Sequence, residues 1–264
     1  MHSILSICWH AVLEVLFPSC CAACGQKLMQ EEQAVCSSCI ASIVRTEHAY
    51  LPNNGIDMLL AERMKSERHK IHYEHGAALA YYNRERGHIL RSLIERGKFG
   101  VQPNPQIFQV LGRVAASEYT GSILLEEIDL LVPVPLHPRR LRDRGFNQSE
   151  YICRGIQDIT KIPIDTAHLS RLRNNPQQSR SLLSQRDENV KDLFTIAYPE
   201  EWKGKHILLV DDVITSGATL FECMKLLSGI RGCRISVFAL FKKHLKNFFC
   251  VGTLRKGKIL TGRV

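Results

Sequence analysis

The residues best placed for chemistry are two adjacent carboxylates, Asp211 and Asp212. They come directly after the apolar run Ile207-Leu208-Leu209-Val210 and before a loop of small residues, Thr215-Ser216-Gly217-Ala218-Thr219. Such a loop can wrap backbone N–H groups around a phosphate, and a following helix adds partial positive charge at its N-terminus. Gly217 allows close backbone approach, and Thr215, Ser216 and Thr219 can donate hydroxyl hydrogen bonds. Two carboxylates beside a core cost free energy unless a cationic or hydrogen-bonding group meets them. An ordinary capped turn explains the small residues but not the acidic pair. The stretch therefore reads as a sugar-phosphate cradle, with the 5′-phosphate in the loop and the ribose hydroxyls at Asp211 and Asp212.

A second charged group follows the run Leu130 to Val134. After Pro135, Leu136, His137 and Pro138 come Arg139, Arg140, Arg142 and Arg144. Guanidinium groups bind phosphate oxygens bidentately, so this turn suits a pyrophosphate. A turn after a parallel strand faces the same sheet end as the Asp211 loop. An exposed basic turn, or contacts to nucleic-acid phosphates, remain open readings of the same residues.

The third group is Cys21-x-x-Cys24 and Cys36-x-x-Cys39, with Gly25 after the first pair. Four thiolates at this spacing suit tetrahedral Zn²⁺ in a closed structural site, and an iron–sulfur cluster is the weaker alternative. Cys20 is an adjacent competitor for the place of Cys21.

The elements that must position these groups can be read from hydrophobic pattern. Ile207 to Val210 is continuously apolar, as in a strand buried on both faces of a parallel sheet. Leu220, Cys223, Met224 and Leu227 form one face of a following helix. Strands are expected over 76–82, at Leu130 to Val134 (short or at an edge, given Pro133 and Pro135), around Ile162 to Ile164, and over 235–241. Helices are expected from Arg86 to Phe99, over 106–119, and from a cap at Asn147 or Ser149. Residues 45–75 read as a linker with a partial helix, in which His69, His72 and His75 could share one face. The polar stretch from Arg171 to Phe194 reads as a candidate lid.

The chain has 264 residues, 45% hydrophobic and 23% charged, enough for one medium domain and a small satellite. No apolar run approaches the ~18 residues of a membrane-spanning helix. The first residues are apolar but carry Glu14 and no preceding Lys or Arg, so they read as a packed amphipathic helix rather than a secretory signal. A loose membrane-surface role for that helix stays open. Clustered Cys-x-x-Cys pairs without a signal point to metal rather than disulfides, and to a reducing, cytoplasmic location. Formal net charge is +9, and from Cys223 onward the chain has no Asp or Glu. That acid-free segment reads as a nucleic-acid-facing patch, an anion-attracting field over the site, or a solvated basic tail.

Two strings carry a family resemblance. ILLVDDVITSGATL resembles the signature of type I phosphoribosyltransferases, which bind phosphoribosyl pyrophosphate (PRPP). VPVPLHPRRLRDRGFNQSE resembles the ComF/GntX family of phosphoribosyltransferase-like proteins linked to natural competence, as does Arg186, Asn189, Val190 and Phe194 in an R-x-x-N-V-x-x-x-F pattern. The resemblance implies an α/β fold, a type I phosphoribosyltransferase-like parallel sheet flanked by helices, with a small N-terminal Cys₄ zinc ribbon. The expected division is amphipathic helix and zinc ribbon over 1–46, linker and partial helix over 47–75, phosphoribosyltransferase-like domain over 76–242, and a basic C-terminal tail over 243–264. PRPP would contact Asp211, Asp212, Val213, Thr215, Ser216, Gly217, Ala218 and Thr219, and the turn Pro135, Leu136 and His137. Arg139 and Arg140 would steady pyrophosphate, with Mg²⁺ arriving alongside PRPP. Arg171, Arg173 and Gln178 would belong to the flexible loop. Family members usually have Thr where this chain has Asn175. The function implied is PRPP binding combined with handling of single-stranded DNA in transformation, alongside DNA-uptake proteins. The alternative is an active transferase, amidophosphoribosyltransferase-like or of nucleobase salvage, releasing pyrophosphate from PRPP.

Overall fold

A computed structural model of the chain describes residues 18–82, 88–99, 103–172 and 193–243. Four parallel strands make its central sheet, in the order β1-β6-β5-β2, with β1 Tyr73–Tyr82, β2 Leu130–Pro133, β5 His206–Ile214 and β6 Arg234–Lys243. The apolar run of β5 is explained by its neighbours. Leu208 lies between Leu131 and Ser236, and Leu209 between Val132 and Val237, so every side chain of the run is covered.

Alternation along the strands divides the interior into two cores. Leu208, Val210, Phe238 and Leu240 face one side, where α4 (Gln106–Tyr119) and α6 (Gln148–Thr160) pack. Ile207, Leu209, Val237 and Ala239 face the other side, against α2 (Gly55–Glu67) and α7 (Ala218–Ser228). Among the described residues the remaining α-helices are α1 (Ser37–Ala41), α3 (His88–Lys98) and α5 (Pro138–Arg144). A separate antiparallel pair, β3 (Leu169–Arg171) with β4 (Phe194–Ile196), flanks the main sheet. The helices α4 and α6 touch backbone to backbone at two glycines. A Cβ on Gly155 would lie 2.8 Å from the Arg113 nitrogen and against the Gln109 carbonyl, and one on Gly112 would meet the Ile152 backbone.

The expected helix over 106–119 and the strand pattern are present, with shifts that have physical causes. β1 begins at Tyr73 rather than 76 because its polar start is satisfied from α2: Asp57 Oδ1 accepts from Tyr73 Oη at 2.5 Å and from the Gly76 N–H at 2.8 Å. Asp57 Oδ2 also lies 3.1 Å from Nδ1 of buried His75. His69, His72 and His75 do not share a helical face, since α2 ends at Glu67 with Arg68 left-handed and His75 lies within β1. The stretch read as a linker and partial helix carries a helix with a capping box at Asn54 and Asp57 and two fully buried residues, Ile56 and Leu60. The short strand expected near Ile162 to Ile164 is reduced to one bridge, Leu131 with Ile164. The first seventeen residues, most of the candidate lid and the tail beyond Lys243 lie outside the described residues.

The ribbon is not a detached module. Cys21, Val35, Cys36, Cys39 and Ile43 join the same apolar cluster as Leu79, Leu111 and Ala115. Arg45 reinforces the seam, pairing with Glu118 of α4 at 2.7 Å and donating to the Ile40 and Ile43 carbonyls.

Candidate functional site

The acidic pair sits within β5, not after it. Pairing with β6 continues through Asp211, opposite Ala239, to Ile214, opposite Lys242. The pair is therefore held on rigid backbone at the carboxyl end of the sheet. Gly217 then takes a left-handed φ of 73° and caps α7 without a side-chain acceptor, so the first N–H groups of α7 have no side-chain cap. A Cβ at Gly217 would come within 3.2 Å of Leu60. The loop is braced from α2, where Arg63 Nε donates to the Ser216 carbonyl at 2.6 Å. A small-residue loop of set curvature at an uncapped helix N-terminus fits an anion such as phosphate.

The two carboxylates differ in surroundings. Asp211 Oδ1 accepts from the Asp212 N–H at 2.8 Å and from Ser149 Oγ at 3.3 Å. Burial, helped by the neighbouring Asp212 charge, pushes the Asp211 carboxyl up to about 7. Asp212 forms an ion pair with Lys98, the last residue of α3, and both side chains are mostly covered. Next to Lys98, the exposed Phe99 ring carries the Arg144 guanidinium at 5.4 Å. Burial lowers the Arg144 pKa, the Asp212 charge opposes that, and Arg140 adds to it. Burial and Arg140 likewise lower Arg171, which stacks over Phe194 at 5.3 Å and feels the charge of Asp211.

The arginine turn is set by its caps. His137 caps α5, its Nδ1 accepting from the Arg139 N–H at 3.1 Å, with Pro138 in the first helical position. Asn147 caps α6 and donates from Nδ2 to the Val134 carbonyl at 3.1 Å. That bond ties the start of α6 to the end of β2 and brings Ser149 to Asp211.

Asp211, Asp212, Arg140 and Arg171 thus share one electrostatic neighbourhood at the carboxyl end of the sheet. Arg139 is exposed, with its backbone rather than its side chain engaged at His137. Arg173 and Gln178 lie outside the described residues. Lys98 and Ser149 are the site residues that sequence reading missed, while Arg144 was read only as one member of the arginine cluster. Ser149 had only its proximity to a cap, and Lys98 had none.

The cysteine pairs form a group of their own. The sulfurs of Cys21, Cys24, Cys36 and Cys39 all lie within 4.8 Å of one another, and Cys24 and Cys36 are 3.8 Å apart. A tetrahedral ion with Zn–S bonds of about 2.3 Å sets sulfurs close to ~3.8 Å apart, so the donor set fits zinc. Cys21 Sγ accepts from the Ala23 N–H at 3.4 Å and the Cys36 N–H at 3.3 Å. Burial opposes its thiolate, but backbone N–H groups of Cys24, Cys36 and Ala23 prevail and lower Cys21 to about 6. Cys20 is exposed and donates instead to the Pro18 carbonyl at 3.3 Å. The four-sulfur group is the only candidate metal cluster among the described residues.

Comparison with known proteins places this geometry. The phosphoribosyl transferase domain matches residues 161–248. Competence protein F of Haemophilus influenzae is 31% identical over 155 residues, which cover 57% of this chain and 67% of that protein. The chain belongs to the ComF family. Other ComF-related proteins match over shorter spans. The DNA utilization protein YhgH of Escherichia coli K12 is 33% identical over 112 residues, 42% of this chain and 48% of that protein. Competence protein ComFC of Bacillus subtilis is 32% identical over 114 residues, 43% of this chain and 44% of that protein. The chain thus spans about half the length of several relatives it matches. Among the described residues, no helix is long and apolar enough to cross a membrane.

Proposed function

We propose that this ComF-family protein binds PRPP at the carboxyl end of its sheet and couples that binding to the handling of single-stranded DNA. One observation carries the reading: two carboxylates on rigid strand backbone open onto an uncapped, small-residue loop at a helix N-terminus. Asp211 and Asp212 hold the ribose hydroxyls. The Thr215 to Thr219 loop, with Val213 leading into it, holds the 5′-phosphate. The turn Pro135, Leu136 and His137, with Arg139 and Arg140, faces the pyrophosphate. Arg171 lies in the field of Asp211 and adds a further guanidinium on the side of the acidic pair. Burial and the Asp212 charge favour the protonated Asp211 carboxyl, a form that can donate to a ribose hydroxyl as well as accept from one.

Mg²⁺ arriving with PRPP would offset pyrophosphate charge. The residues of this chain bind, orient and exclude water. Zinc at Cys21, Cys24, Cys36 and Cys39 is structural, since four protein ligands leave no open position for chemistry. The DNA half of the proposal draws on the chain's basic balance and on the names of its relatives, a DNA utilization protein and two competence proteins.

Calorimetric titration of PRPP with Mg²⁺ tests the first half. Saturable binding in the wild type, lost in Asp212→Asn, supports it, and no binding by the wild type sinks it. Titration of single-stranded DNA at several salt concentrations tests the second. Affinity that falls steeply with salt supports it. Binding that ignores salt, or is missing, refutes it. Pyrophosphate release scored across nucleobases and amines decides whether the bound sugar phosphate is also turned over.

A further inference from the structure

We propose that Lys98 is a placeholder cation, which balances Asp212 and passes to the pyrophosphate of an incoming phosphoribosyl donor. The proposal rests on the sugar-phosphate reading above and names a residue outside the matched domain. Lys98 ends α3, and its ammonium reaches the Asp212 carboxylate Oδ2 with both side chains largely covered. The carboxylate offered to a ribose hydroxyl is thus already engaged, and a sugar must take the place of the ammonium or share the oxygen with it.

Geometry gives the displaced ammonium somewhere to go. In PRPP the pyrophosphate is carried on the carbon next to the one bearing the 2-hydroxyl. A sugar hydroxyl at Asp212 therefore brings pyrophosphate oxygens within a side-chain rotation of Lys98. Lysine suits the exchange, being a compact point charge on a flexible stem with three rotatable donors. The residue beside it adds a tie, because the Phe99 ring seats Arg144, which lies in the fields of both Asp212 and Arg140. The C-terminal turn of α3 thus links the ribose-binding carboxylate to the arginine turn. A ligand with ribose and 5′-phosphate but no pyrophosphate would strip Lys98 of its partner without supplying another. The device favours the pyrophosphorylated sugar.

The test compares PRPP with ribose 5-phosphate, both with Mg²⁺, by calorimetry on the full chain as wild type, Lys98→Met and Lys98→Arg. Wild type should prefer PRPP. In Lys98→Met that preference should shrink about tenfold or more, the weight of one charge-assisted hydrogen bond, with ribose 5-phosphate bound at least as well as before. Lys98→Arg should recover most of the preference. Equal loss for both ligands would show a merely structural ion pair and overturn the proposal, as would an unchanged preference. A wild type that binds neither ligand overturns the sugar-phosphate reading itself. A wild type that binds both, with an unaffected methionine variant, overturns the role of Lys98 alone.

Discussion

Replacing Asp211 by Asn should make the protein more stable, and increasingly so as pH rises. The carboxyl moves from an ordinary 3.8 to about 7 in the folded chain. The folded state therefore holds a proton that the unfolded state has released, and stability falls as pH rises from about 4 to about 7. At about 1.4 kcal/mol per pH unit, the full effect is bounded near ~4 kcal/mol. Asp211 is only partly covered and Lys98 can adjust, so about half of that should be realised. Asn keeps the shape and an acceptor for the Asp212 N–H and Ser149 Oγ. Urea unfolding at pH 5 and pH 8 should show the advantage of Asp211→Asn growing by about 1–3 kcal/mol between them. A melting-temperature gain of roughly 2–10 °C at the higher pH would correspond to this. PRPP affinity should fall in the same variant. An advantage of constant size across pH, or a destabilised variant at pH 8, would refute desolvation as the origin of the raised value.

Chelation should remove one zinc per chain, measured by elemental analysis, and lower the main unfolding transition, because the ribbon shares its apolar cluster with β1 and α4. A separate early melt with the main transition unmoved would contradict the shared core. Gly155→Ala should cost about 1–3 kcal/mol in denaturant unfolding, since its methyl would strike the Gln109 and Arg113 backbone across the α4 and α6 contact. Asp57→Ala should cost about 3–5 kcal/mol at pH 7 by leaving buried His75 and Tyr73 without their acceptor. Hydrogen bonds from His75, Tyr73 and the Gly76 N–H prevail over burial and hold the Asp57 carboxyl below its usual range. That contribution is present above the ordinary carboxylate value and is lost as pH falls through the lowered one, so the cost of Asp57→Ala should shrink in acid.

Much of the architecture was legible because burial on two faces leaves an unmistakable run. Ile207 to Val210 could only be an interior strand, and its neighbours over 130–134 and 235–241 share that character. The cysteine pairs were equally readable, since their chemistry depends on local spacing. What the sequence hid is what long-range pairing creates. The start of β1, Tyr73-Glu74-His75, looks polar and irregular until Asp57 of another element satisfies it. The helix α2 buries little more than Ile56, Asp57 and Leu60, so its hydrophobic stripe is too thin to announce a core element. Lys98 stood unremarked at the end of a helix because its partner, Asp212, lies far along the chain.

The strand order has a practical consequence for anyone trimming this protein. The matched span 161–248 contains β5 and β6, which lie in the middle of the sheet, while β1 and β2 on either flank come from earlier in the chain. A fragment cut to that span would bare a row of backbone donors and acceptors on each side and lose the Arg63 brace on its phosphate loop. It should clump with its own copies rather than bind a sugar phosphate, so the region with the recognisable signature is the part least able to stand by itself.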